Sequence, residues 1–432
     1  MPTVVWSLAF LGGTAAASWF LIVPASGLGL RLGLVDLPST RRTRARAIPT
    51  TGGLVVYVTA AAALVVALFT PGLIGREFTR AFSALIFGGS LIVVLGMFDD
   101  RLNLRPLVKL IVQTAVAITM VRAGVRIEHV RFLVGPTVEL GWMGAPLTVF
   151  WFVALMNIVN LIDGLDGLAS GIASIGALTL FVVGLLNGFG ELMIMMAAVL
   201  GASIGFLLHN FREGNVYLGD GGSMVLGFFI AGGAIVGSGS DAASEALLVT
   251  FAAMAVPTFD VVTTIVRRAR SGLGLMTPDR SHVHHRLIRF GLSPRRTVIA
   301  LWGVTLFFSG QMLGQVTTHG VIYVLLSYAI AAYVAKIVLD QHRKNVKTLR
   351  SDLRDELAYL VGATDTVIYG DCPPDATLRQ MIVSQIRREA RFRRMVRAEL
   401  RRRALARRSG EAGPDEPLDE ISAERDPKKT AH

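Results

Sequence analysis

Asn157-Ile-Val-Asn-Leu-Ile-Asp-Gly-Leu-Asp-Gly-Leu-Ala-Ser-Gly171 lies between two apolar runs, Pro146 to Met156 and Ile172 to Leu186. Joined to the apolar residues of the quoted stretch, each run approaches the roughly 17–25 residues that cross a bilayer. Asn157, Asn160, Asp163 and Asp166 recur at every third position, so a helix through them holds all four close to one face. Carboxamides and carboxylates aligned at the mouth of a membrane helix are costly, and hydrocarbon tolerates them only where they are used. A solvated polar turn between two helices is the plainer alternative. The stretch thus sets the fold class and raises the question of what else converges on its polar face.

The 432 residues are 52% hydrophobic and 17% charged, with a mean hydropathy of +0.55. That balance describes a polytopic membrane protein rather than a soluble one. Eleven runs are candidate spans, near residues 4–26, 52–70, 81–98, 107–122, 143–161, 168–186, 192–209, 222–238, 246–266, 297–313 and 320–339. The expected fold is an all-α bundle of about 11 transmembrane helices. A net charge of +12 would suggest nucleic acid in a soluble chain. Here the arginines sit in loops and a tail, where membrane orientation and anionic headgroups account for them, and no nucleic-acid partner is expected. The one cysteine, Cys372, allows no intrachain disulfide. No Lys or Arg precedes Arg31, so the first run reads as a retained span rather than a cleaved signal.

The loops supply an orientation. Arg31, Arg41, Arg42, Arg44 and Arg46 fall in the connection 27–51, and eight arginines fall in the connection 267–296. With eleven spans both lie on one side, and the positive-inside rule makes that side cytoplasmic. The amino terminus is then outside, and the carboxyl terminus and the charged motifs are cytoplasmic. Residues 1–340 form the membrane domain, 341–408 a basic helical extension and 409–432 a Pro- and acid-rich tail expected to be disordered. Within the extension, Leu349–Leu360 reads as helix, Thr366–Tyr369 as strand-like, and 376–408 as an arginine-loaded helix whose apolar stripe suits the inner leaflet or a partner helix.

Four further motifs carry chemistry. Asp99-Asp100 close the third span, and adjacent carboxylates there suggest a Mg²⁺ site or a base. Lys109 and Gln113 share a face four residues apart, and a lysine there suits a phosphate. Gly219-Asp220-Gly221-Gly222-Ser223 opens the eighth span; glycines before a helix expose backbone N–H groups to anions, and the acid suits a metal bridging to phosphates. Pro278-Asp279-Arg280-Ser281-His282-Val283-His284-His285-Arg286-Leu287 lies in the long basic loop. Without thiolates or a second His pair its histidines read as hydrogen-bonding groups for a sugar or diphosphate. Asp36–Gly53 adds guanidinium groups. Acids, phosphate-suited turns and cations at one membrane face describe phosphoryl transfer to a lipid-borne acceptor. A transporter would instead carry its ionisable groups near the midplane, and no internal repeat is evident. A bundle that only anchors a functional tail would not need these acids.

Five of these stretches together resemble the polyprenyl-phosphate N-acetylhexosamine-1-phosphate transferases, the superfamily that includes WecA, TagO and MraY. They are Asp36–Gly53, Asp99-Asp100 with Lys109 and Gln113, Asn157–Gly171, Gly219–Ser223 and Asp279–Leu287, in the family's order. The resemblance implies transfer of a sugar-1-phosphate from a UDP-N-acetylhexosamine to undecaprenyl phosphate, releasing UMP, with Mg²⁺ or a substituting Mn²⁺ and with a homodimer as one possible assembly. It implies that Asp99 and Asp100 act as acceptor-phosphate base or Mg²⁺-site acids, and that Asp163 and Asp166 are catalytic or positioning acids. Asn157 and Asn160 are implied as substrate-binding residues, Asn160 near the nucleotide, and Asp220 as the direct Mg²⁺ ligand. Arg280, His282, His284 and His285 would face the donor. His-Val-His-His-Arg-Leu resembles the WecA/TagO branch and so implies UDP-GlcNAc, the phospho-N-acetylmuramoyl-pentapeptide branch being the alternative. At Arg44 and Ala47 the chain departs from the family's His and Pro.

Overall fold

The computed structural model describes residues 2–36, 47–131, 137–237, 243–270, 282–317 and 320–368. The chain divides into two compact units, Met1–Asn345 and Val346–His432. Its elements run α1 (Pro2–Leu32), β1 (Val35–Asp36), β2 (Ile48–Pro49), α2 (Gly52–Phe69), α3 (Arg76–Leu102), α4 (Pro106–Arg122), β3 (His129–Arg131), β4 (Thr137–Glu139) and α5 (Gly144–Ile162). They continue with α6 (Leu168–Leu186), α7 (Gly190–Glu213), α8 (Gly219–Val236), α9 (Ala243–Ala253), α10 (Ala255–Arg270), α11 (Val283–Arg289), α12 (Pro294–Val316) and α13 (Gly320–Ile368). The strands are two short antiparallel pairs, β1 with β2 and β3 with β4. The protein is an all-α polytopic membrane protein.

Each of the eleven apolar runs is helical. Among the described residues nine helices are long and apolar enough to cross a membrane, and a tenth span results if α9 and α10, bent by 65° about their break, count as one. The remaining run is α4, whose 17 residues fall at the short limit for a span. Two sequence readings change. The strand-like Thr366–Ile368 closes α13 as helix, and the eleventh span and the helix expected at 349–360 are one element of 49 residues. Long apolar and long charged halves meet in α13 without a Gly or Pro to break it, so composition marks a boundary that the backbone does not. Residues 376–408 and the acidic tail lie outside the described residues, as do Arg41, Arg42, Arg44, Arg46 and Arg280.

The centre of the bundle is α8. Every residue from Gly221 to Val236 is buried, as expected of a helix apolar on all sides. α2, α3, α5, α6, α7 and α9 surround it, and α1 packs along α7. Small residues set the approach distances. A Cβ on Gly96 of α3 would collide with the backbone of Gly221, and one on Gly53 of α2 with the backbone of Gly222. Near the midpoint of α8, a Cβ on Gly227 would lie 2.5 Å from the Leu155 carbonyl oxygen of α5. Close backbone contact of this kind is how membrane helices associate where no hydrophobic force separates them from lipid. Backbone hydrogen bonds complete the clamp: Gly52 and Gly53 N–H donate to the Tyr217 and Leu218 carbonyls, and Tyr217 N–H to that of Pro49. The amino end of α8 is thereby fixed between α2 and the carboxyl end of α3.

Gly96→Ala should lower stability by about 1–3 kcal/mol, the usual cost of overpacking a close contact. Gly12→Ala, at a position with nothing within 4 Å of the added methyl, should change it little. Thermal unfolding of both variants in one detergent checks this.

Candidate active site

The site grows from that clamp. α3 ends at Asn103, whose left-handed backbone (φ 49°) stops the helix, and Pro106 at the start of α4 fits the first turn of the next. The corner brings Asp99 Oδ1 under the Leu104 N–H at 2.9 Å and Lys109 Nζ to 2.5 Å from Asp99 Oδ2. The same ammonium is 3.2 Å from Asp220 Oδ2 in the first turn of α8. Asp100 Oδ1 accepts the Asp220 N–H at 3.1 Å, so α3 caps the amino end of α8 from outside the helix. Gly219 permits this junction: its φ is +74°, and a Cβ there would lie 2.5 Å from Asp100 Oδ2 and 2.7 Å from the Thr50 carbonyl oxygen.

The α5–α6 connection forms the second wall. The helical face expected through Asn157, Asn160, Asp163 and Asp166 stops halfway, because α5 ends at Ile162 and Asp163, with ψ 56°, is its cap. Gly164 and Gly167 (φ +81°) let the chain turn before α6. The two asparagines remain on the helix and lock it: Asn157 Nδ2 donates to Gln113 Oε1 at 2.7 Å, and Asn160 Nδ2 to Ser223 Oγ at 3.0 Å. Gln113 is buried and in turn donates to Met224 Sδ at 3.1 Å. Asp163 and Asp166 instead lie on the turn. Asn210 pins that turn by accepting the Gly167 N–H at 2.5 Å and donating to Val216 O at 2.8 Å, and Trp302 Nε1 donates to the Gly167 carbonyl. Sequence reading passed over Asn210, since an asparagine at a helix end beside Arg212 and Glu213 looks like solvated boundary.

These walls enclose an open cleft of about 1380 Å³. Asp99, Asp100, Lys109, Asp163, Asp166 and Asp220 all line it, together with Asp36, Arg101 and Arg295. Acids spread over more than a hundred positions therefore meet in one place, at one end of the bundle. For Mg²⁺ the donor chemistry is suitable: hard carboxylate oxygens of Asp99 and Asp220 already share one cation, the Lys109 ammonium. Asp100 differs, one of its oxygens being spent on the α8 cap. Among the described residues no three His, Cys, Asp or Glu side chains are arranged to hold a metal by themselves. Two carboxylates completed by substrate phosphates is the usual manner of binding Mg²⁺.

The histidines stand behind the second wall. His282 caps α11, and Asp260 of α10, a residue the sequence reading did not single out, receives His282 Nδ1–H at 3.0 Å and Val283 N–H at 2.8 Å. His282 and His284 are parallel with centroids 5.8 Å apart, and His285 lies 4.3 Å from His284. None of the three lines the cleft, though Ile288 of α11 does. His284 is buried, and a Cβ on Gly164 would lie 2.8 Å from its Nε2, so the ring backs directly onto the Asp163–Asp166 turn. Burial, then the charges of His285 and His282, push His284 down to about 4 against the opposing pull of Asp260.

A neutral His284 has a consequence for stability. The folded protein takes up its proton only near 4, whereas the unfolded chain takes it up near 6.5, so stability is lost as pH falls through 6.5 and the loss levels off below 4. His284→Gln should flatten the decline in melting temperature between pH 6.5 and pH 5, measured in detergent.

The sequence profile of glycosyl transferase family 4 matches residues 82–238, which span the α3 acids, the α5–α6 turn and the whole of α8. The chain is 35% identical over 284 residues to a probable undecaprenyl-phosphate N-acetylglucosaminyl 1-phosphate transferase of Bacillus subtilis, covering 65% of this chain and 77% of that protein. It is 34% identical over 353 residues to the decaprenyl-phosphate N-acetylglucosaminephosphotransferase of Mycobacterium tuberculosis, covering 73% and 87%. An Escherichia coli undecaprenyl-phosphate alpha-N-acetylglucosaminyl 1-phosphate transferase is 27% identical over 277 residues, covering 63% and 73%. The chain belongs to this family of polyprenyl-phosphate N-acetylglucosamine-1-phosphate transferases.

Proposed function

We propose that the protein transfers N-acetylglucosamine-1-phosphate from UDP-GlcNAc to undecaprenyl phosphate at the cytoplasmic face of a bacterial inner membrane, starting a cell-envelope polysaccharide. The observation that carries the reading is the Lys109 ammonium held between Asp99 and Asp220 in a cleft at one end of an apolar bundle. A lipid phosphate reaches such a cleft from the bilayer while a nucleotide sugar arrives from water. The names of the relatives support the sugar and the polyprenyl acceptor. The arginine-rich connections at 27–51 and 267–296 support a cytoplasmic cleft.

In the reaction an oxygen of the lipid phosphate attacks the β-phosphorus of the donor. The new P–O bond forms as the bond to the bridging oxygen breaks, and UMP leaves with that oxygen. A phosphate monoester has its second pKa near 6, so at pH 7 the nucleophile is already largely deprotonated. The demand on the protein is charge neutralisation and alignment rather than proton abstraction. Lys109 supplies a point charge to the acceptor phosphate. Asp99 orients Lys109, and Asp100 holds the amino end of α8 where its backbone N–H groups face anions. Asp99 and Asp220 would hold Mg²⁺, which neutralises the diphosphate and stabilises the leaving UMP. Asp163 and Asp166, on the opposite wall, orient the donor's hydroxyl and amide groups.

Asp220→Asn and Lys109→Ala should each cut UMP release from UDP-GlcNAc and undecaprenyl phosphate by roughly 10²–10³-fold, the scale for loss of one transition-state charge partner. Chelation should abolish release and Mg²⁺ restore it. Full turnover in folded Asp220→Asn protein would refute the assignment. Removing residues 369–432 should leave the rate within about twofold, because every cleft-lining residue among those described precedes them; loss of turnover in folded, truncated protein would move the function into the tail.

A further inference from the structure

Asp260 is an acid placed where hydrocarbon chemistry disfavours it. It is 4% exposed and faces an enclosure lined by Ile162, Val256, Val283 and Leu301. A carboxylate there is tolerated only with partners for its oxygens. Both oxygens are spent on one short stretch of the basic loop: Oδ1 on the Val283 N–H, Oδ2 on His282 Nδ1. An ionised carboxylate only accepts, so His282 carries a proton on Nδ1, which in the neutral ring makes Nε2 the acceptor nitrogen. The same contact fixes the start of α11, whose His284 backs onto Gly164 and whose Ile288 lines the cleft.

We infer that Asp260 is a positioning residue for the transfer, setting the tautomer and direction of His282 while it caps α11. His282 stands behind the cleft wall, so its effect on the nucleotide-sugar donor runs through α11 and the Asp163–Asp166 turn and rests on the proposed transfer. The tautomer rests on the Asp260 geometry alone. An asparagine separates the two duties of Asp260. Its carbonyl oxygen still accepts the Val283 N–H, but its NH₂ donates toward His282 Nδ1 and drives the proton to Nε2.

The test uses full-length protein in detergent. Asp260→Asn should keep the wild-type melting temperature and lower kcat/KM for the UDP-sugar by roughly ten- to a hundredfold, the scale for loss of a partner that orients a functional histidine. KM for polyprenyl phosphate should stay unchanged, and Asp260→Glu should recover part of the rate. In the double variant with His282→Ala the loss should equal that of His282→Ala alone, since the carboxylate acts through the ring. Wild-type turnover in Asp260→Asn, losses that multiply in the double variant, or collapse of the Asn variant while His282→Ala stays folded would each overturn the proposal. A second arm reads the tautomer without turnover: diethyl pyrocarbonate modifies unprotonated ring nitrogens, so peptide mass spectrometry should find His282 modified several-fold more slowly in Asp260→Asn. An unchanged rate would overturn the assignment. A wild type that releases no UMP would sink the transfer reading and leave this arm to decide the tautomer.

Discussion

One ammonium between two carboxylates governs this molecule. Asp99, Asp100 and Asp220 come together at the ends of two apolar helices, and like charges about 4 Å apart repel by about 4 kcal/mol even at an effective dielectric of 20. Lys109 relieves that repulsion by contacting Asp99 and Asp220 at once. One ammonium serves two carboxylates with a third beside them, so the cluster holds more acid groups than cations. In the proposed transfer, phosphate oxygens would compete for the lysine, and the carboxylates so released would be available to a divalent cation. On that proposal, binding is an exchange of counter-charges.

Such an exchange needs the acids held in place, and close backbone packing does this. Gly96 on Gly221 and Gly53 on Gly222 leave α3, α8 and α2 no room to slide apart or rotate without losing contact. Asp99 follows Gly96 by less than one turn, and Asp220 precedes Gly221 directly, so close backbone packing lies beside the chemistry. Asn157 and Asn160 extend the same logic to α5. Polar groups at the mouth of a membrane helix were expected to meet substrate, yet their hydrogen bonds to Gln113 and Ser223 tie helices together. A polar residue costly in lipid has a use, and registry between helices is one that these two serve.

The limits of the sequence follow from this distinction. The apolar runs, the paired acids of α3, the glycine-flanked Asp220 and the Asp163–Asp166 stretch are legible because period and residue type reveal them locally. Their convergence on one cleft was inferred from orientation. What stayed hidden depends on partners far along the chain. Asp260 looks like a lone acid at the basic end of an apolar run until His282, 22 residues on, is placed against it. Asn210 acquires meaning only beside Gly167, 43 residues earlier. The halt of α5 at Ile162 escaped because three-residue spacing suits a helix as well as it suits a helix that yields to a glycine-rich turn. α13 escaped for the opposite reason: nothing interrupts the backbone where the composition changes.

The break between α9 and α10 shows why the hidden residues matter. Irregular backbone within a membrane is tolerated only where protein or a cavity satisfies it. Met254 at the bend is buried, its N–H donates to the Thr250 carbonyl and its carbonyl accepts the Thr258 N–H, so hydrogen bonding continues across a 65° change of direction. The bend keeps these two backbone bonds, although Pro257 has no N–H to give, and redirects the helix after it. A straight continuation of α9 would carry Asp260 along another axis, away from α11, and His284 would lose the frame that presses it against Gly164. The bent helix, the buried acid and the histidine cap form one chain of contacts ending at the turn that carries Asp163 and Asp166. α11 thus reaches the cleft by packing against its wall, with His284 on Gly164 and Ile288 in the lining.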